Sequence, residues 1–259
     1  MNLSAIPRDL LLVSALLILV PLIVPDWVLF IMTKSLFMFI CVSGVAFMLR
    51  GGLLTFGHAL FYATGAYTVG FMVKWFGVQE LLIVLPLGAL TGFIMAALVG
   101  LVMARYREVF FAMLNLAFSM MLFGALLKFY RVTNGTDGLP IGTPTLLGFE
   151  IESDSLSFYY FSLVIVAIVA YVIHRFMASP NGFYLRALHD NEIRIEYSGV
   201  SVRQVVYRTY ILAGTLGGVS GVLAAFTIGH IVPEDAFWIQ SGQFVFVALL
   251  GGFGGLAGP

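Results

Sequence analysis

The sequence predicts an all-α protein: a polytopic transmembrane helix bundle of about eight spans with its N-terminus in the cytoplasm. Three observations carry this. Hydrophobic residues make up 61% of the 259 and charged residues only 10%, with a mean hydropathy of +1.03; a soluble domain typically carries about 25% charged residues to cover its surface. The apolar residues fall in runs at roughly 10–24, 28–49, 52–76, 80–104, 109–130, 158–177, 205–229 and 241–257, and a helix needs about 20 residues to cross a ~30 Å hydrocarbon core. The basic residues also sort to one side. With eight alternating spans, Arg8, Arg50, Arg105, Arg107, Arg175, Arg186, Arg194, Arg203 and Arg208 fall inside, against Lys34, Lys74, Lys128 and Arg131 outside, as the positive-inside rule expects. Helices are expected rather than strands because backbone amides exposed to lipid lack a water partner, and the ~10-residue alternating segments of a β-barrel are not visible.

The first run, Leu10–Val24, follows Arg8 as a signal peptide would. It ends in Pro25-Asp26-Trp27 without an Ala-x-Ala-like cleavage site, so it reads as a retained, short helix. Cys41, in the second run, is the only cysteine; it permits no internal disulfide and reads as packing. The third run opens on Thr55-Phe56-Gly57-His58. The imidazole of His58 needs a hydrogen-bond partner or a wet cavity, which leaves a structural histidine bonded to a backbone carbonyl and a role in a path or gate both open. Metal binding is disfavoured because no second ligand stands at ligand spacing. Asn115 lies in the fifth run. An outer loop, 133–157, is rich in Gly, Thr, Pro and acid, and Glu234 and Asp235 also fall among the outer loops. In the seventh run Gly214, Gly217, Gly218 and Gly221 place two pairs four residues apart, each pair on one helix face, where small residues let another helix approach closely. The glycines of Gly251–Gly255 read as helix packing too.

The inner loop, 178–203, cannot cross a membrane. Ser179 suits a helix cap and Pro180 the first turn. Leu185, Leu188, Ile193 and Ile195 then interleave with Arg186, His189, Asp190, Glu192, Arg194 and Glu196. Chemistry alone leaves two readings: a surface helix that docks on a cytoplasmic partner, or a solvated loop. The whole chain, 1–259, reads as one transmembrane domain.

The engine is missing. A P-loop needs Gly-x-x-x-x-Gly-Lys-Ser/Thr, and no lysine here follows a glycine. Any ATP-driven step belongs to another subunit, and the chain is expected to be non-catalytic, with no cofactor of its own. Proton and sodium relays place acids within spans; none is expected here, so a passage poor in fixed charge suits an apolar or zwitterionic solute. The net charge of zero gives no pull towards nucleic acid.

At this point the residues resemble a family. Gly51-Gly52-Leu53-Leu54-Thr55-Phe56-Gly57-His58-Ala59-Leu60-Phe61 with Gly65-Ala66-Tyr67, then Phe110–Phe118, Thr133-Asn134-Gly135-Thr136-Asp137-Gly138-Leu139, Ser179-Pro180-Asn181-Gly182 with Arg186-Ala187-Leu188 and Asp190-Asn191-Glu192, and finally Gly251–Pro259, are similar in order and spacing to the membrane permease subunits of branched-chain amino-acid ABC importers, of the LivM-like type. The resemblance covers nearly the whole chain. It implies import of branched-chain or similar small apolar amino acids across the bacterial inner membrane. The implied partners are a second homologous permease, two cytoplasmic ATP-binding subunits holding ATP and Mg²⁺, and a periplasmic or extracellular solute-binding protein. It implies ATPase coupling through Ser179, Pro180, Arg186, Asp190 and Glu192, and binding-protein docking at Asn134, Gly135, Thr136 and Asp137. Thr55, Gly57, His58 and Asn115 would border the path. Two departures stand out: Asn115 replaces an expected smaller polar residue, and the family continues through at least one more membrane segment past Pro259, so truncation at the C-terminus is expected. The alternatives are an ABC permease for urea, an amide or an aromatic acid, or a stand-alone channel or secondary carrier.

Overall fold

The computed structural model describes residues 16–252. Among them the principal helices are α1 (Asp26–Leu49), α2 (Ala59–Phe71), α3 (Leu81–Met103), α4 (Glu108–Lys128), α5 (Leu156–Met177), α6 (Pro180–Asp190), α7 (Glu192–Tyr197), α8 (Val202–Ile228) and α9 (Trp238–Gly251). Five of these, α1, α3, α4, α5 and α8, are long and apolar enough to cross a membrane. The chain is a multi-pass helical bundle.

Helix α8 is the axis. It packs against α3, α2 and α1, and most of its hydrophobic window is buried. Its small residues make this possible. Gly218 lies against the backbones of Gly65 on α2 and of Gly88 and Gly92 on α3, Gly221 against Tyr62 of α2, Gly214 against Ala96 and Phe61, and Gly217 against Phe61. A Cβ at Gly65 or Gly221 would run into a carbonyl oxygen, so at both positions van der Waals contact between backbones requires glycine. The partner helices of all four α8 glycines belong to this chain.

The count of eight spans meets two shorter elements. The third run is not helical throughout. Gly52 ends the turn after α1 in the left-handed region, φ +72°, and the chain continues without helix to Gly57. There the amide of Gly57 donates to Thr55 Oγ1 before α2 starts. Helix α2 then passes into a π-helical turn, Met72–Phe76. Among the described residues the eighth run yields the 14-residue α9. Residues 10–15 of the first run lie outside the described residues, as do 253–259 with Gly254 and Gly255.

The preceding stretch fixes where α9 starts. Gly229 ends α8 with φ +73°. His230-Ile231 pairs antiparallel with Leu139-Pro140, and Pro233–Ala236 forms a 3₁₀ turn with Pro233 and Ala236 buried. The Ser119 hydroxyl donates to the carbonyl of Ala236 at 2.7 Å. Ser119 is eleven residues from the start of α4 and nine from its end, so at 1.5 Å per residue it sits ~17 Å and ~14 Å from the two ends. Residues 229–237 therefore fold back to the depth of Ser119 in the bundle, and α9 starts there.

Candidate functional site

Two helix starts meet at mid-depth. The first amide of α2, that of Ala59, donates to Ser241 Oγ in the first turn of α9 at 2.9 Å. Non-helical backbone at this depth is tolerated where protein buries it or where it lines a cavity. Here α2, α4 and α9 provide the surroundings.

The four path candidates lie around this junction, and they do different things. Thr55 and His58 are fully buried. The imidazole of His58 sits beside Gly44 of α1 and Gly217 of α8, with the Phe61 ring edge-on at 5.6 Å. Neither ring nitrogen has a hydrogen-bond partner, so the backbone-bonded version of a structural histidine is not found. Gly57 presses on the backbone of Asn115. Asn115 itself is occupied: Nδ2 donates to the carbonyl of Phe111 at 2.9 Å, and Oδ1 accepts from Tyr210 at 2.5 Å. It is a strut between α4 and α8.

The folded-back segment also carries a carboxylate. Asp235 was expected in an outer loop. It stands partly exposed beside Ala236, in a connection that Ser119 and the strand pair hold against the bundle. Tyr67 of α2 lies in its electrostatic field. No signal local to residues 230–240 reports this fold-back.

On the inner face, α6 and α7 fold as an amphipathic pair. Leu185, Leu188 and Ile195 are buried against α5 and α8. Ser179 occupies the N-cap position of α6, but its hydroxyl donates backwards to the carbonyl of Phe176, so it closes α5 rather than capping α6. Pro180 is the first residue of α6, as expected. Arg186 donates to the carbonyl of Met177 at 3.0 Å, tying α6 to the end of α5. Glu192 pairs with Arg107 at 3.1 Å, and Asp190 is 85% exposed. Three apolar side chains point outwards: Phe183 at 69%, Ile193 at 63% and Tyr197 at 88% exposure. Phe183 and Tyr197 were absent from the sequence-based candidates. Their exposure depends on which face α6 and α7 bury.

On the outer face, Asn134 adopts φ +60° and its Oδ1 accepts from Lys74 Nζ at 2.9 Å. Gly135 is buried and Asp137 accepts from the Tyr130 hydroxyl at 2.6 Å. Thr136 is exposed within the same 3₁₀ turn. Nearby, Glu80 holds the 145–150 hairpin by accepting from Thr145 Oγ1 and from the amides of Leu147 and Gly148. Some desolvation pushes its carboxyl up, but those three hydrogen bonds outweigh it and hold the group below the usual carboxylate range. Among the described residues no cluster of three His, Cys, Asp or Glu is arranged to hold a metal ion.

A family model described as branched-chain amino acid transport system / permease component matches residues 27–259. The high-affinity branched-chain amino acid transport system permease protein LivM of Escherichia coli K12 is 28% identical over 226 residues, 78% of this chain and 53% of that protein. The probable branched-chain amino acid transport permease protein LivM of Methanocaldococcus jannaschii is 26% identical over 180 residues, 69% and 52% of the two chains. The guanosine ABC transporter permease protein NupP of Bacillus subtilis is 34% identical over 92 residues, 34% and 26% of the two chains. The chain spans about half the length of the LivM relatives it matches. No solved structure matches it.

Proposed function

The chain belongs to the family of branched-chain amino acid transport permease components, and on that premise we propose that it is one membrane subunit of an ATP-driven importer of branched-chain or similar small apolar amino acids. On this reading residues 1–259 form one permease domain of eight passages in a bacterial inner membrane. The other parts are a second, homologous permease, two cytoplasmic ATPases that hold ATP and Mg²⁺, and an external solute-binding protein that docks around Asn134–Asp137. The chain itself is non-catalytic and works by alternating access.

The observation that carries the proposal is the outward row Phe183, Ile193 and Tyr197, mounted on a buried base of Leu185, Leu188 and Ile195. Large apolar side chains left exposed by an amphipathic pair mark a protein contact. Asp190 and Arg194 flank the row and add polar contacts. Arg186 and Glu192 are tied to Met177 and Arg107, so they transmit a push on α6–α7 into α5 and towards the start of α4. ATP binding then shifts the bundle between outward- and inward-open states by its differential affinity for them.

The test is Phe183→Glu with Tyr197→Glu, which leaves every buried contact of α6 and α7 in place. In proteoliposomes holding the whole transporter, ATP-driven leucine uptake is expected to fall by at least about tenfold, the effect of losing ~1.4 kcal/mol of contact, while the protein is still recovered from the membrane intact. Unchanged uptake overturns the proposed coupling face. Uptake by this chain alone, without nucleotide, overturns the ATP-driven reading.

A second solute class has one observation behind it, the match over a third of the chain to a protein named as a guanosine permease. Guanosine uptake in place of leucine uptake by the intact transporter would select it.

A further inference from the structure

Most polar side chains buried in this bundle settle their hydrogen bonds in one of two ways. Thr33, Ser43, Thr209 and Thr227 each donate to a carbonyl in the preceding turn of their own helix. Asn115, Ser119 and Ser220 bond to groups on other elements. His58 does neither. It is fully buried, and both Nδ1 and Nε2 lack a partner. The reason is its place in the chain. His58 is the N-cap residue of α2, and residues 53–57 before it are not helical, so no preceding turn offers a carbonyl. The hydroxyl of Ser162, also without a partner, at least has a helix turn behind it. An imidazole carries its two nitrogens on a rigid ring, one of them a donor whichever neutral tautomer is present.

The surroundings are apolar on three sides. Nε2 lies 3.1 Å from the point where a Cβ on Gly44 of α1 would stand and 3.5 Å from the corresponding point on Gly217 of α8. The Phe61 ring stands edge-on, with centroids 5.6 Å apart. The carbonyl of Ala213 also borders Gly44, yet it makes no hydrogen bond to the ring. Two glycines on separate helices thus make room for a ring that bonds to nothing. A buried polar group without a hydrogen bond costs free energy, and a native fold that keeps one calls for a cause. His58 also sits where α2 meets α9, a junction closed by the hydrogen bond from the Ala59 amide to Ser241. Thr55 and Ser241 are fully buried beside it in sequence or across that bond. Opened there, the junction would bare polar groups and admit water; closed, as here, it leaves the imidazole dry.

We propose that His58 biases the transport cycle: its ring is dry and unpartnered in this conformation and hydrated in the alternate one, so its unmet hydrogen bonds favour leaving this conformation. The inference rests on the reading of the chain as a permease that works by alternating access, and it adds the residue that keeps this state from becoming too stable. A shift between two states needs only a difference in free energy between them, and hydration of one imidazole supplies it without a fixed charge. The role differs from lining the passage, because a fully buried ring touches no solute in this conformation.

The experiment labels the whole transporter in proteoliposomes with diethyl pyrocarbonate, which modifies accessible imidazoles, and reads each histidine by mass spectrometry, first without nucleotide and then trapped with ATP and vanadate. The exposed His174, His189 and His230 report that the reagent reaches the protein. His58 is expected to react at least about tenfold more in one nucleotide state than in the other. Equal reaction in the two states, whether high or low, overturns the proposal. His58→Met removes the unmet bonds and keeps an apolar side chain of similar length. Its thermal midpoint should rise by about 2–4 °C while ATP-driven leucine uptake falls at least about fivefold, as the favoured state is left less often. A histidine needed only for structure would lower the midpoint when replaced, so an assembled His58→Met transporter with a lower midpoint also overturns the proposal. If that variant does not assemble, the labelling of wild type decides. If wild type takes up no solute with ATP, the permease reading itself falls; if it takes up leucine while His58 reacts equally in both states, only this inference falls.

Discussion

Two connecting segments, 178–201 on the inner face and 229–237 on the outer side, are alike in residue type and opposite in depth. Both lie between apolar runs, and both carry acids. The inner segment puts Leu185, Leu188 and Ile195 down and leaves Asp190 in water. Its polar groups stay hydrated, so their charge is inexpensive. The outer segment is short and mostly extended. It is drawn down by a strand pair and by one hydrogen bond from Ser119, and Asp235 travels with it. A loop's polarity therefore does not set its depth; the anchors of its backbone do.

The comparison can be broken or sharpened at four places, beginning with the largest effect. Gly57 abuts the backbone of Asn115, which cannot yield as a side chain would. Gly57→Val is expected to wedge α4 from the junction at a cost of about 3 kcal/mol, seen as loss of monodisperse protein on extraction. Normal yield would mean the junction is looser than the contacts require. Next, Ser119→Ala removes the anchor of the deep segment and leaves the Ala236 carbonyl buried without its donor, a cost of about 1–2 kcal/mol. A thermal shift assay should show a midpoint lower by a few degrees, with faster hydrogen exchange confined to 229–237; protection equal to wild type would refute the anchor. At the inner segment Glu192→Gln removes the pair with Arg107. That pair is partly exposed, so the loss should be only about 0.5 kcal/mol and should shrink further in high salt. A loss as large as that of Ser119→Ala would erase the contrast between the segments.

The smallest effect is one of pH, at Glu80. Its folded carboxyl lies below its unfolded value, so the stabilisation is fully present above the unfolded value of about 4.3 and is lost as pH falls through the lower folded one. The 145–150 hairpin should stay protected from protease somewhat below pH 4.3 and open under stronger acid. Glu80→Gln should open it at every pH. Opening of the wild-type hairpin well above pH 4.3 would contradict the hydrogen bonds drawn to Glu80.

The class of the protein was legible because it depends on composition and run length. The five long spans follow from apolar run length, whereas chemistry alone left the inner segment open between a surface helix and a solvated loop, and it forms α6 and α7. The α8 glycines were legible as close-packing positions, but not their partners: Gly65, Gly88 and Gly92 lie more than 120 residues away in sequence. Asn115 and His58 were legible as polar groups in apolar runs. That Asn115 is consumed by Phe111 and Tyr210 while His58 has no partner depends on which helices lie beside them.

The sequence by itself determined that the solvent is lipid, that the structure is helical and which family the chain resembles, because hydropathy and motif order are properties of the chain read in line. Only the tertiary structure decided that the starts of α2 and α9 meet inside the bundle, that Ser119 holds the segment carrying Asp235, and that Phe183, Ile193 and Tyr197 are exposed. Those facts arise from contacts between residues distant in sequence, such as Ser119 with Ala236 and Ala59 with Ser241, and each contact exists only once the helices have packed.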